Sequence, residues 1–93
     1  MVIGVCTFDL FLGGIQSLKA KRGVLKRLKA RIIKKFNVSV AEVGALDSWQ
    51  HSTLAVALVS NEKKFANQVL SKISDLVAST GEVTLVDQKM FFL

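Results

Sequence analysis

The stretch from Ser17 to Phe36, SLKAKRGVLKRLKARIIKKF, allows few folded arrangements. At about 100° per residue, Leu18, Leu25, Leu28, Ile32 and Phe36 fall within one arc of an α-helix, with Val24 flanking it. A helix with so narrow an apolar stripe must lie on another layer and turn its remaining sides to water. Those sides are cationic. The stretch holds nine of the thirteen basic residues (Lys19, Lys21, Arg22, Lys26, Arg27, Lys29, Arg31, Lys34 and Lys35) and none of the seven acidic ones. It is +9 by itself, whereas the other 73 residues sum to 4 − 7 = −3. Like charges at i, i+3 and i+4 cost an isolated helix about 0.2–0.5 kcal/mol per pair. Only Lys34 and Lys35, at the C-terminal end, are favoured by the helix dipole. Lys21 falls inside the apolar arc, where its stem is expected to lie on apolar surface and its ammonium to reach water.

The flanking segments supply the other layer. From Val2 to Leu12 the residues favour a strand whose even positions, Val2, Cys6, Phe8, Leu10 and Leu12, face the core. Ile3, Val5 and Phe11 make the second face partly apolar, as in a central strand. Gly13 and Gly14 break it, and Ser17 is placed to cap the helix. Asn37 stops that helix. Val38–Val43 reads as a second strand, Gly44–Ser48 as a loop, and Leu54–Val59, apolar on both parities, as a central strand. Ser60 or Asn61 then caps a helix running to about Ser79, with the stripe Phe65, Val69, Leu70, Ile73, Leu76 and Val77. Thr80 and Gly81 end it before a last strand over Glu82–Leu93. The order βαββαβ predicts an α+β, ferredoxin-like domain spanning residues 1–93, with a four-stranded antiparallel sheet and both helices on one face. The other face would carry Thr7, Asp9, Ser39, Ala55 and Ala57 among larger apolar groups, a surface suited to a homodimer.

Read together, SLKAKRGVLKRLKARIIKKFNVSVAEV, the segment Asp47-Ser48-Trp49-Gln50 and LAVALVSNE resemble the YlxP family of small bacterial proteins over nearly the whole chain. The KR pair in the first helical turn, FNVSVAEV, DxWQ and VSN carry the resemblance. It implies a ferredoxin-like fold and genes that lie among those for ribosome maturation and translation initiation, near ribosome-binding factor A. Two positions depart from the family pattern. Ala20 stands where a glutamate would complete a capping box with Ser17, leaving the helix start more positive. Ile33 stands where relatives carry a basic residue.

The residue inventory argues against catalysis. Cys6 is the only cysteine and His51 the only histidine, so neither a disulfide framework nor a Cys/His metal centre is available within the chain. No serine or cysteine has a recognisable base beside it. Acylphosphatase-like members of this fold need an arginine in the phosphate loop, and Leu12–Gln16 has none. Stacking aromatics of an RNA-recognition motif are missing from Leu54–Val59, as is the GXXG loop of a KH domain. We expect no enzyme activity, cofactor or metal. A lone apolar cysteine fits a reducing cytoplasm, and no apolar run reaches the ~18 residues of a membrane span.

Phosphate-backbone contact is the chemistry that remains, because lysine and arginine neutralise phosphates and release their counterions regardless of sequence. The expected partner is RNA or a ribosomal subunit. The expected contacts are Lys19, Arg22, Lys26, Lys29, Arg31 and Lys35. An accessory anion site is drawn at Gly13, Gly14 and Ser17, where free helix amides and flexible backbone converge. Trp49 is a candidate partner contact, for stacking or docking, although a tryptophan closing its loop onto the core is the commoner arrangement. The alternative is a dimerisation or small-ligand-sensing module acting through the open sheet face. Membrane binding is not expected, because the helix spends its apolar stripe on the core.

Overall fold

Alternation of apolar side chains sets the first strand, β1, at Val2–Phe11, and its even residues from Gly4 to Leu10 are buried. The computed structural model describes residues 1–93. Gly14, at φ +79°, takes the left-handed conformation that turns the chain out of the sheet. α1 follows at Leu18–Lys35, its first turn capped by Ser17, whose Oγ accepts a hydrogen bond from the Ala20 amide at 3.1 Å. β2 is Ser39–Gly44 and β3 His51–Ser60, longer than its apolar centre because His51, Ser52 and Thr53 continue the pairing opposite Phe11, Leu10 and Asp9. α2 spans Lys63–Ser79 and β4 Thr84–Phe92.

The four strands pair antiparallel in the order β2-β3-β1-β4, and the expected ferredoxin-like βαββαβ fold is the one observed. Cys6, Phe8 and Leu10 of β1 and Leu54, Val56 and Leu58 of β3 form the sheet's contribution to a single core. Val24, Leu25, Leu28 and Ile32 of α1 and Ala66, Leu70, Ile73, Leu76 and Val77 of α2 close it from the same side. At Gly4 an added Cβ would stand 3.2 Å from Leu70 Cδ1 and 3.3 Å from Ala66 Cβ, so the missing side chain lets α2 settle on the sheet.

The second helix starts differently from expectation. Its N-cap is Glu62, without a side-chain cap bond, because the Ser60 hydroxyl turns back to accept from the Glu62 amide at 3.0 Å. Phe65 leaves the predicted stripe and is 54% exposed. Ala66 takes the inward place, the small residue that the close approach at Gly4 requires.

On the open face, register puts Ser39, Ala57, Val5 and Phe91 in one row and Ala41, Ala55, Thr7 and Lys89 in the next. Beyond them Thr53, Asp9 and Asp87 form a polar end, with Thr53 Oγ1 donating to Asp9 Oδ1 at 2.9 Å.

Candidate nucleic-acid interface

The helix that carries the charge is held down by one of its own cations. Lys21 does not reach water as its place in the arc predicts. It is 1% exposed, donating from Nζ to the Ala45 carbonyl at 2.7 Å and pairing with Glu42 Oε2 at 2.9 Å. Glu42 also accepts from Ser52 Oγ at 2.8 Å, so the buried ammonium is met by a carboxylate that is itself hydrogen-bonded. Ala45 stands in the left-handed region at φ 57°, a conformation that costs a non-glycine residue about 1 kcal/mol, and its carbonyl is the one Lys21 engages. These contacts fasten the start of α1 to the β2–β3 connection.

Arg27 is also occupied. Its Nε donates to Glu82 Oε1 at 3.3 Å and its Nη2 to Oε2, an exposed two-point pair that ties α1 to the approach to β4. The pair raises the Arg27 guanidinium above its ordinary value and lowers the Glu82 carboxyl, chiefly through the hydrogen bond, with the charges of Arg27 and Arg31 adding to the lowering. The carboxylates that the helix itself lacks are therefore brought in at two points only.

Seven of the nine cations in the stretch remain outside any ion pair, since only Lys21 and Arg27 have one. Six of them are exposed, and Lys29 is half-buried. At 100° per residue Lys19, Arg22, Lys26 and Lys29 lie on one flank. Arg22, Lys26 and Lys29 there share a shallow groove with Leu25 and Glu42. Arg31 falls on the opposite flank, near enough to Glu82 to lower its carboxyl, and Lys35 stands at the helix end beside Phe36 and Phe65. Four of the six expected contacts thus form one surface along a rod of ~27 Å, and two lie away from it. Ile33, exposed, interrupts the charged surface as its sequence position implies.

At Gly13, Gly14 and Ser17 the geometry is that of a turn and a cap. Gly13 approaches the Phe11 ring, Gly14 supplies the positive φ, and the Ser17 hydroxyl is committed to the Ala20 amide. Trp49 does not close its loop onto the core. It is 53% exposed and lines an open cleft with Ile15, Gln16, Asp47, Ser48, Gln50 and His51. His51 is the first residue of β3, and its ring lies 5.4 Å from that of Phe11 across the pair. Cys6 is buried, and burial pushes its thiol up to about 11, so it is a core residue and no nucleophile.

Sequence reasoning missed Glu42, Glu82 and the Phe11–His51 pair. One signal for Glu42 was available, since a lysine inside an apolar arc requires an acceptor. Among all residues, no group of three or more His, Cys, Asp or Glu side chains is arranged to hold a metal ion. No helix is long and apolar enough to cross a membrane.

Residues 3–90 match the family described as "Protein of unknown function (DUF503)". The uncharacterized protein YlxP of Bacillus subtilis is 34% identical over 82 residues, covering 88% of this chain and 89% of that one. Among solved structures, SnoaB, a cofactor-independent oxygenase from Streptomyces nogalater, aligns with a TM-score of 0.50 over 99% of this chain and 89% of its own, at 10% identity. At that identity the likeness is one of fold alone.

Proposed function

The chain belongs to the DUF503 family, and from that premise we propose that it is a non-enzymatic protein binding the phosphate backbone of RNA, in the first place ribosomal RNA, through α1. The observation that carries the reading is the flank formed by Lys19, Arg22, Lys26 and Lys29. None of these four has an ion-pair partner, and Glu42, the carboxylate that shares a groove with three of them, is taken by Lys21. Unpaired like charges on a rigid helix are a cost in the free protein that a polyanion removes. Such a surface reads charge and shape. It offers no base-specific donor pattern, so affinity should be sequence-blind and fall steeply with salt. The ribosomal preference rests on the gene surroundings that the YlxP resemblance implies.

Co-sedimentation with ribosomal subunits tests it. The protein should pellet with a subunit at low salt and leave it at moderate salt, and reversing Arg22, Lys26 and Lys29 to glutamate should abolish pelleting. Absence from the pellet at low salt would count against the reading.

A second reading is favoured by the open sheet face, where Ile3, Val5, Ala55, Ala57, Val59 and Phe91 adjoin one another through the strand register. A homodimer closed over this face would be broken by Ala57→Glu in light scattering. A monomer in the unsubstituted protein would dismiss it.

A further inference from the structure

Phosphate contact by α1 leaves Trp49 without a role. It is the chain's only tryptophan, and the residue is more than half exposed although it sits in a tethered loop. The Leu12 amide donates to the Gln50 carbonyl at 2.7 Å, the Ser48 amide to the Ala45 carbonyl at 3.0 Å, and the His51 amide to Ser48 Oγ at 3.1 Å. The ring is therefore presented by a hydrogen-bonded segment that Lys21 also fastens to α1 through Ala45. Beside it the cleft of about 830 Å³ has a second ring in its wall, His51, itself packed on Phe11.

The chemistry of the cleft is selective. Its one charged side chain is Asp47, so a phosphate is unwelcome inside it. The lining suits a neutral planar group, since it includes a ring to stack on, the Gln16 and Gln50 side chains as donors and acceptors, and a carboxylate able to accept from an exocyclic amine. Cations begin immediately outside. Lys19 follows Gln16 by three residues, which places their Cα atoms within about 11 Å of one another. Arg22, Lys26 and Lys29 continue along the same flank.

We propose that the cleft takes an unpaired nucleobase of single-stranded RNA, stacked on Trp49, while the phosphates of the same strand run along Lys19, Arg22, Lys26 and Lys29. The proposal rests on the α1 reading and narrows it, because bases inside an A-form duplex cannot enter the cleft whereas those of a loop, bulge or end can. Stacking on an aromatic ring tolerates any base, in keeping with the sequence-blind cation flank.

The single tryptophan makes its own reporter. A short fluorescently labelled oligocytidylate, a blunt RNA duplex and inorganic polyphosphate are titrated at low salt, with binding read by anisotropy or competition and stacking by Trp49 emission. Oligocytidylate should quench that emission at saturation, whereas duplex and polyphosphate should bind without quenching. Trp49→Ala should weaken oligocytidylate about tenfold and leave duplex affinity within about twofold, and Trp49→Phe should restore most of the loss. Circular dichroism confirms that both variants fold. Binding of oligocytidylate with unquenched emission, equal quenching by polyphosphate, or an unchanged affinity in Trp49→Ala overturns the cleft and leaves α1 standing. Failure of all three ligands to bind overturns the α1 reading and the cleft with it.

Discussion

Replacing Lys21 with methionine separates the buried helix cation that the fold consumes from those available to a ligand. The ammonium is buried, donates to Ala45 at 2.7 Å and pairs with Glu42 at 2.9 Å. Methionine keeps the apolar stem in place and removes the charge together with the hydrogen-bond donor to Ala45. Removing one member of a buried pair costs about 3–5 kcal/mol when the other is left stranded. Glu42 is not wholly stranded, because Ser52 still donates to it and its side chain is 19% exposed, so water can reach it. The lower range of a lost charged hydrogen bond applies, about 2 kcal/mol. In a domain of this size that lowers the melting temperature by roughly 8–16 °C.

Urea unfolding followed by circular dichroism measures the loss, and a double-mutant cycle with Glu42→Gln should return a coupling of about 1 kcal/mol or more. The same Lys21→Met protein should bind RNA with the salt dependence of the unsubstituted chain, because Lys21 is out of a ligand's reach. Stability within about 0.5 kcal/mol of the unsubstituted protein, a coupling near zero, or a shallower salt dependence would refute the reasoning.

Two further outcomes follow from the contacts around α1 and α2. Glu82, whose folded-state value is depressed mainly by the Arg27 hydrogen bond, contributes stability that is complete above its ordinary value of 4.5 and is lost as pH falls through the lowered one. A carboxyl-resolved NMR titration should show that midpoint rise on Arg27→Gln, and an unmoved midpoint would mean the pair does not persist in solution. Gly4→Ala should destabilise by about 1 kcal/mol or more, since its Cβ would press on Leu70, Ala66 and Leu58, outweighing the usual gain of alanine over glycine in a strand. A more stable variant in urea unfolding would show that α2 can yield.

What the sequence made legible was local. The alternation of β1, the apolar arc of α1 and the Ser17 cap are set by neighbours within a few residues, and they stand where spacing puts them. Lys21 departs from its expected place at the surface because its partners, Glu42 and Ala45, lie more than twenty residues onward and meet it only once β2 lies beside the helix. Phe65 has the correct spacing for the α2 stripe, but Ala66 is preferred inside because of Gly4, on a strand some sixty residues earlier. For Trp49 the sequence leaves both a partner contact and closure onto the core open, and the turn at Ala45 with the Leu12–Gln50 hydrogen bond holds its loop so that the residue stands exposed. For the basic surface, spacing alone separates the two flanks, yet only the placement of Glu82 beside Arg27 and Arg31 shows which flank is partly neutralised.

RNA affinity as a function of salt tests the claim for α1 most directly. Four phosphate contacts from Lys19, Arg22, Lys26 and Lys29 predict a slope of log affinity against log salt near −3, at about 0.7 per contact on a single strand. Charge reversal of Arg22, Lys26 and Lys29 together should flatten it to about −1 or abolish binding. An unchanged slope in that variant, or no RNA binding by the unsubstituted protein at low salt, would contradict it.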